Sequence, residues 1–598
     1  MIDKIDKICV EAGIPFFCKK SKMMDVLCEF TRSLHAGEAY VMWPGNASSQ
    51  ILLKLSGGGL NVETDIVEDA KLVNSKCKRK YKVLINASYG GNWLHRGLRN
   101  LCLMCMNRCK VIDIYKLLNK RGVPCNKELI CEMRRTYAEI IADLNEYEAL
   151  LQSSTKDNSA IKKLIEDYLA IRDFKNAFCY IDKLKEIEDS EAEKYNNLKS
   201  SIEGVLSEIE SNINGKEHIV INWLDALRYD EMENMCYLKE LSGKGICFDN
   251  MYTSTAYTSA TAKTMFTGKL LIEDNLYKMP IESCKDSELY KMLQNADYQF
   301  IYVGSHLKKG IFLNETMEMH QLIYDREEMP VTMMQYELVN SLARAEKKCF
   351  AIVHSFSETH WPYMNPVNTD TRMIDGYDTL RLLVEHNRDI MNQVIASQKY
   401  LDEQLKFYHR FYSNIAYNIY MSDHGSPRPD RPICFREMNH IVFLVLGNEI
   451  LPRRVPQVTS LLGFSRMVEH LINKSGNEIG KTDQEEYAMI QHDDPYGGNI
   501  KYFMDDPKDY KMHLVQRRGV ITEKDFYIRY LTGEEYYVLK DGDENLVGCK
   551  EYSERIDYLR KITGKQFINI EKENKYRVTY ELYRKLGYEI DKNIEFVN

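Results

Sequence analysis

Three short segments concentrate side chains able to hold a metal ion and attack an electrophile. They are Asn222-Trp223-Leu224-Asp225-Ala226-Leu227-Arg228, Thr258-Ser259-Ala260-Thr261-Ala262-Lys263-Thr264-Met265-Phe266-Thr267-Gly268, and Met421-Ser422-Asp423-His424-Gly425. The carboxylates of Asp225 and Asp423 and the imidazole of His424 are hard oxygen and borderline nitrogen donors, a mixture that suits zinc or manganese. A threonine hydroxyl is a poor nucleophile at neutral pH; coordination to a divalent ion favours its alkoxide, and the same ion polarises the ester under attack. Two carboxylates and an alkoxide repel one another in a pocket unless a cation lies among them. Taken singly, each residue has an ordinary use: Asp225 as a helix cap, Thr258 as a turn residue, Asp423-His424 as a polar loop. The set, and not any member of it, points to chemistry.

The elements that must position these residues are short apolar runs alternating with helical patterns from residue 216 onward. His218–Asn222, Phe300–Val303, Phe350–His354, Ile415–Tyr420 and Ile441–Leu446 read as strands, with helices between most of them, as at Ile390–Arg410. That alternation predicts an α/β fold, a mostly parallel sheet sandwiched by helices, whose ligands gather at the carboxyl ends of the strands. Asp225 follows the first run and Asp423 the fourth, while Thr258 is expected in a loop. A further segment, His354-Ser355-Phe356-Ser357-Glu358-Thr359-His360-Trp361-Pro362-Tyr363, follows the third run. His354 itself reads as a strand-end histidine whose hydrogen bonds the fold satisfies.

Order and spacing together resemble the alkaline phosphatase–sulfatase superfamily over roughly residues 216–540. The resemblance implies an alkaline phosphatase-like sheet and a metal held by Asp225, Thr258, Asp423 and His424. It makes Thr258, ten residues before Gly268, the nucleophile. His360, in an element similar to the family's His-x-Pro-Tyr, is implied as the donor to a phosphate oxygen or to the leaving group. His306, in Gly304-Ser305-His306-Leu307-Lys308-Lys309-Gly310, resembles a substrate-side histidine of the lipoteichoic acid synthase branch, with Lys308 or Lys309 able to hold a phosphate. A small four-stranded C-terminal sheet is implied from about residue 480, with Gln516 or Arg517 reaching substrate. His440 stands where some members place a further metal histidine, and no second ligand set is evident, so one divalent ion is expected.

Sulfatases of the usual kind convert a cysteine or serine to formylglycine, and the signal includes a proline and an arginine. Here Thr258 occupies the first position and Ala260 and Ala262 the others. The sequence therefore resembles the threonine-nucleophile phosphoethanolamine and phosphoglycerol transferases and phosphodiesterases. The expected activity is transfer of a phospho-alcohol group, through a phosphothreonine, from an activated and nucleotide-linked phosphodiester donor to a sugar or glycan acceptor. Hydrolysis of a phosphodiester or phosphate ester by water is the alternative, and a non-catalytic scaffold retaining the fold is the alternative of another class.

The first 125 residues resemble the small Rossmann-like domain attached to capsule- and sugar-modifying proteins. Ala39–Trp43, Val62–Val67, Lys82–Ala87 and Lys110–Ile114 read as strands, with helices at Gln50–Leu55 and Trp93–Met106. A dinucleotide loop needs glycines where the backbone meets a pyrophosphate. In Pro44-Gly45-Asn46-Ala47-Ser48-Ser49 only Gly45 remains, so a structural or docking role is expected, although Glu68 stands where an acidic ribose partner would lie. Cys102, Cys105 and Cys109 share one helix face with no fourth ligand evident, the pattern of small buried side chains. Residues 126–215 are charged, with apolar residues at helical spacing. Ile161–Ile171 and Lys175–Ile187, with Tyr168, Phe174, Ala177 and Tyr180, resemble a tetratricopeptide-like hairpin, within a spacer that is helical or coiled-coil.

Composition bounds the rest. The 598 residues exceed one ordinary core. A net charge of -8 provides no global positive field for nucleic acid. No apolar run approaches the ~18 residues of a membrane span. The N-terminus shows no basic start, apolar stretch and cleavage site in succession, and 16 cysteines lack framework spacing. A cytoplasmic protein with reduced thiols is expected.

Overall fold

The structure, a computed structural model, describes residues 4–12, 39–43, 63–66, 83–86, 110–113, 137–153, 157–187, 190–213, 217–279, 287–304, 319–323, 330–360, 363–366, 388–426, 435–483, 485–493, 515–542 and 544–597. The Pro44–Ser49 loop, Glu68, the helices expected at Gln50–Leu55 and Trp93–Met106 with Cys102, Cys105 and Cys109, and His306 and Lys308 lie outside these residues. The chain divides into two compact units, Met1–Ser207 and Glu208–Asn598.

The first unit holds four strands, β1 (Ala39–Trp43), β2 (Glu63–Ile66), β3 (Val83–Asn86) and β4 (Lys110–Asp113). All pair in parallel, in the order β2-β1-β3-β4. Helices α1 (Tyr137–Ser153), α2 (Asn158–Ala170) and α3 (Phe174–Glu186) follow. Each of the last two begins on an aspartate that takes up free N–H groups of the first turn. Asp157 accepts from Ser159 and Ala160, and Asp173 from Asn176, each at 3.0 Å. Asp173 can follow α2 so closely because Arg172 turns the chain in the left-handed region, at φ +63°. Tyr168 and Tyr180 stack with centroids 5.8 Å apart, and both hydroxyls donate to Glu148.

The second unit is built on eight strands: β5 (His218–Leu224), β6 (Ile246–Tyr252), β7 (Gln299–Gly304), β8 (Met319–Ile323), β9 (Cys349–Ser355), β10 (Ala416–Met421), β11 (Phe443–Leu446) and β12 (Arg453–Ser460). Their order is β12-β6-β11-β10-β5-β9-β7-β8. Every neighbouring pair is parallel except those made by β11, which runs against β10 and β6. Strands β5 and β9 are buried at every position, as a sheet covered on both faces requires.

On one face, α4 (Thr258–Thr267), α5 (Glu288–Asn295) and α6 (Phe464–Ile472) contribute Met265, Phe266, Leu289, Leu293, Phe464 and Met467 to a core with Ile221, Phe248, Phe350 and Phe443. On the other, the Cys236–Ser242 helix and the Arg388–His409 helix bring Leu238, Leu401 and Leu405 against Leu224, Cys247, Tyr420 and Leu444. The result is a helix–sheet–helix sandwich, as the alternating pattern predicts. A second, antiparallel sheet has the order β13 (Tyr487–His492), β14 (Arg517–Thr522), β15 (Asp525–Tyr530), β16 (Glu535–Leu539). One of its faces buries Ile490, Ile528 and Tyr530 with Tyr252 and Ala260; the other is covered by Ile556 and Leu559.

Candidate active site

Three adjacent strands, β10-β5-β9, end side by side. Parallel pairing aligns Met421 with Trp223 and Trp223 with His354. The residues at and just beyond these points therefore converge: Asp423 after β10, Asp225 after β5, and His354 at the penultimate position of β9. One ligand atom from each of Asp225, His354 and Asp423 lies within 4.8 Å of the others, and all three side chains are buried. This is the carboxyl edge at which open α/β sheets collect ligands.

Each donor is held by backbone geometry. Ala226 adopts φ +60°, a strained conformation for a residue with a Cβ, and this turns the chain sharply after Asp225. The turn aims the Ala226 N–H at Asp423 Oδ1, 3.0 Å away, while the Asp225 N–H bonds Ser355 O at 3.0 Å. Ser426 Oγ closes the loop by donating to Ala226 O at 2.9 Å. The His424 N–H also donates to Asp423 Oδ1, at 3.0 Å. Gly425 is required by close approach: a Cβ there would lie 2.7 Å from Arg228 Cγ and 2.7 Å from Glu437 O.

Thr258 arrives from β6. The structure makes it the first residue of α4 and not the loop residue that the sequence suggests. The helix N-terminus, where backbone N–H groups lack intrahelical partners and the dipole favours anions, thus lies at the hydroxyl. Gly268, at φ +68°, ends the helix. Thr261 ties α4 to the Asp423 loop, its Oγ1 donating to Asp423 O at 3.2 Å and lying 2.7 Å from Thr255 Oγ1. Thr258 Oγ1 stands 3.2 Å from Asp225 Oδ2 and 3.3 Å from His424 Nε2. His424 Nε2 is in turn 3.8 Å from Asp225 Oδ1 and 3.5 Å from Asp423 Oδ2. His424 Nδ1 faces Gly425 O at 3.1 Å, an acceptor only. The proton of a neutral ring therefore sits on Nδ1, and the Nε2 lone pair is directed at the carboxylates and Thr258.

The electrostatics call for a cation. Asp423 is fully buried, and its Oδ2 accepts no hydrogen bond among the described residues. Burial holds its carboxyl above the usual range, and the neighbouring Asp225 pushes it further up against the opposing pull of His424, His354 and the Ala226 N–H. The nearby guanidinium of Arg228 is turned to Asp230, at 2.7 and 2.9 Å. Two buried carboxylates, an imidazole lone pair and a hydroxyl form a donor set that a divalent ion fits.

The structure thus brings Asp225, Thr258, Asp423 and His424 together. His360 lies six residues beyond His354, half-buried, its ring stacked on Phe356 at 4.2 Å. His440 faces elsewhere: its Nε2 meets Asp249 O at 2.8 Å, and its ring stacks on Tyr229 and Tyr252. Gln516 is occupied by the backbone of Ile568, whose N–H it accepts at 2.9 Å. Arg517 is fully buried, opposite His492 and Tyr530 on the small sheet.

The sequence reading missed His354 as part of the cluster. Its Nε2 is 2.8 Å from Asp225 Oδ2, and its Nδ1 is 3.0 Å from the Tyr302 hydroxyl. The available signal was a polar residue at the carboxyl end of an otherwise apolar strand.

Residues 226–471 match the family model described as Sulfatase, a span under half of the chain that begins one residue after Asp225 and contains Thr258, Asp423 and His424. The unit thus carries a sulfatase-like enzyme domain. No curated protein matches the sequence. Among solved structures, a putative sulfatase from Bacteroides thetaiotaomicron is 13% identical, with 63% of this chain and 96% of that chain covered and a TM-score of 0.43. A phosphonate monoester hydrolase of Agrobacterium radiobacter is 12% identical, with 58% and 95% covered and a TM-score of 0.42. A protein in the alkaline phosphatase superfamily from Vibrio parahaemolyticus is 15% identical, with 64% and 97% covered and a TM-score of 0.40.

Proposed function

We propose that this protein is a metal-dependent phosphotransferase that moves a phospho-alcohol group from an activated, nucleotide-linked phosphodiester donor to a sugar or glycan acceptor. The observation that carries the reading is the convergence of a threonine hydroxyl, two buried carboxylates and an imidazole lone pair at the ends of three adjacent strands. Asp225, Thr258, Asp423 and His424 would hold one divalent ion, zinc or manganese. When bound, such an ion neutralises the carboxylates, favours the threonine alkoxide and polarises the phosphoryl oxygen.

Thr258 Oγ1 attacks phosphorus and the bond to the departing alcohol breaks. Asp225 Oδ2 and His424 Nε2 lie within reach of the threonine proton. The N-terminal N–H groups of α4 face the charge that develops on the phosphoryl oxygens. His360 is assigned the proton given to the leaving oxygen. An acceptor hydroxyl then attacks the phosphothreonine and restores the Thr258 hydroxyl. Ala260 and Ala262, in place of a formylglycine signal, favour a phosphate over a sulfate ester. The parallel sheet β2-β1-β3-β4 supports reading residues 1–125 as a Rossmann-like accessory domain, joined through a helical segment at 126–215 to a catalytic region at 216–598.

The test is mass spectrometry of protein quenched during turnover of a slow phosphodiester. An adduct is expected on the peptide containing Thr258, with at least a ~10³-fold loss of turnover in Thr258→Ala and partial activity in Thr258→Ser. Undiminished activity in Thr258→Ala would overturn the reading. Product analysis with and without a sugar acceptor separates transfer from hydrolysis.

A further inference from the structure

The two histidines of the cluster have opposite partners. His424 presents Nδ1 to a carbonyl and Nε2 to the carboxylates and Thr258. His354 presents Nε2 to a carboxylate oxygen, Asp225 Oδ2, at 2.8 Å, and Nδ1 to a phenol, Tyr302, at 3.0 Å. A carboxylate can only accept, so the proton of a neutral His354 sits on Nε2. Its Nδ1 is then an acceptor, and Tyr302 donates to it. The ring is clamped from the side as well, stacked on Trp223 with centroids 4.5 Å apart. The backbone is shaped for this contact at Gly304. A Cβ there would lie 2.5 Å from the Tyr302 hydroxyl oxygen and 3.0 Å from His354 Cβ, so no other residue admits the pair as it stands.

We infer that His354 is a positioning residue and not a ligand: Tyr302 fixes its tautomer, and its Nε2–H holds the Asp225 carboxylate in the orientation that serves the ion. The inference rests on the metal reading given above and deepens it. Proximity alone would admit His354 as a ligand, since its nitrogen belongs to the group lying within 4.8 Å. The hydrogen-bond inventory decides between the roles, because a nitrogen whose proton points at a carboxylate has no lone pair to give a metal. The arrangement resolves the cluster into a ligand-type imidazole, His424, nearest Asp225 Oδ1, and a donor-type imidazole, His354, at Asp225 Oδ2.

Nitrogen NMR on the ¹⁵N-histidine-labelled full chain, with His354 identified by its absence in His354→Gln, reads the tautomer directly. In metal-free protein near neutral pH, His354 is expected as the Nε2–H form, and Tyr302→Phe is expected to weaken that preference. On addition of Zn²⁺ the His354 Nε2–H signal is expected to persist. Its disappearance on metal addition, or an Nδ1–H form in metal-free protein, would overturn the assignment. Calorimetry with Mn²⁺ and Zn²⁺ supplies the second arm. His354→Ala is expected to weaken binding ~10–100-fold, as loss of a ligand's hydrogen-bond partner does. His354→Gln, whose amide can still donate to Asp225, is expected to recover most of it. Binding in His354→Ala equal to that of the unaltered protein, or no recovery in His354→Gln, would refute the positioning role. If the unaltered protein binds neither ion, the metal reading fails, while the metal-free tautomer still decides the bond from His354 to Asp225.

Discussion

Two regions of the second unit use the same residue types to opposite ends. Around Asp249 on β6, a histidine, an aspartate and two tyrosines lie together. Arg454 and the Tyr229 hydroxyl both donate to the Asp249 carboxylate. His440 is sandwiched by Tyr229 and Tyr252 and donates to Asp249 O. The two opposite charges there, Asp249 and Arg454, are paired with each other. Around Asp423, two carboxylates and two imidazoles are buried together, and among the described residues no lysine or arginine is joined to Asp423. Aspartate and histidine content therefore does not mark a functional site. Charge that the fold itself leaves uncompensated does, because a buried carboxylate is costly without a cation.

The contrast is broken most severely at Asp423. Asp423→Asn is expected to lower turnover at least ~10³-fold, with loss of metal binding in calorimetry. The same change should raise the melting temperature of chelated protein, because it removes a buried carboxylate held beside Asp225 with no lysine or arginine joined to it among the described residues. A lower melting temperature in the chelated variant would show that Asp423 is already compensated, and the contrast would fail.

A smaller effect is expected from acid. Burial pushes His440 down to about 4, below the ordinary value of 6.5. The unfolded chain takes up that proton first, so this contribution to stability is present above pH 6.5 and is lost as pH falls toward 4. The loss should amount to about 3 kcal/mol by urea titration. His440→Phe should flatten that part of the profile; His409, which burial also lowers to about 4, adds a slope of the same sign, and Glu358, which burial raises to about 8, one of the opposite sign. An unchanged profile in His440→Phe would refute this assignment.

The smallest effect is expected at Asp249. Its partner Arg454 is half exposed, and such pairs contribute at most ~1 kcal/mol. Asp249→Asn should cost up to that amount in urea denaturation and leave turnover unchanged. A large loss of activity would mean that the Asp249 cluster serves the site after all.

The comparison also explains what the sequence could and could not reveal. Strands β5, β9 and β10 are apolar runs buried on both faces, and their periodicity exposes them. Strand β6 escaped because Asp249 and Asn250 interrupt it at half-buried positions. Strand β12 escaped because it is an edge strand carrying two arginines and Pro456, with a register shift between Val455 and Val458. In the site, Asp225, Thr258, Asp423 and His424 were legible from motif order. His354 was not, because its meaning depends on a partner 129 residues away and on β5 lying beside β9. The same gap made Thr258 look like a loop residue: nothing local shows that β6 feeds α4 directly into the cluster.

The adjacency of β10, β5 and β9 has an evolutionary consequence. Asp423 and Asp225 follow, and His354 lies at the end of, three adjacent hydrogen-bonded strands inside the sheet, so their mutual placement is set by the sheet and not by the loops around it. The segments outside those strand ends can vary in length and composition at little cost to that placement. A lineage built on this frame can exchange one ester for another by rewriting its periphery, and descendants with different substrates would share a centre that their overall sequence similarity no longer betrays.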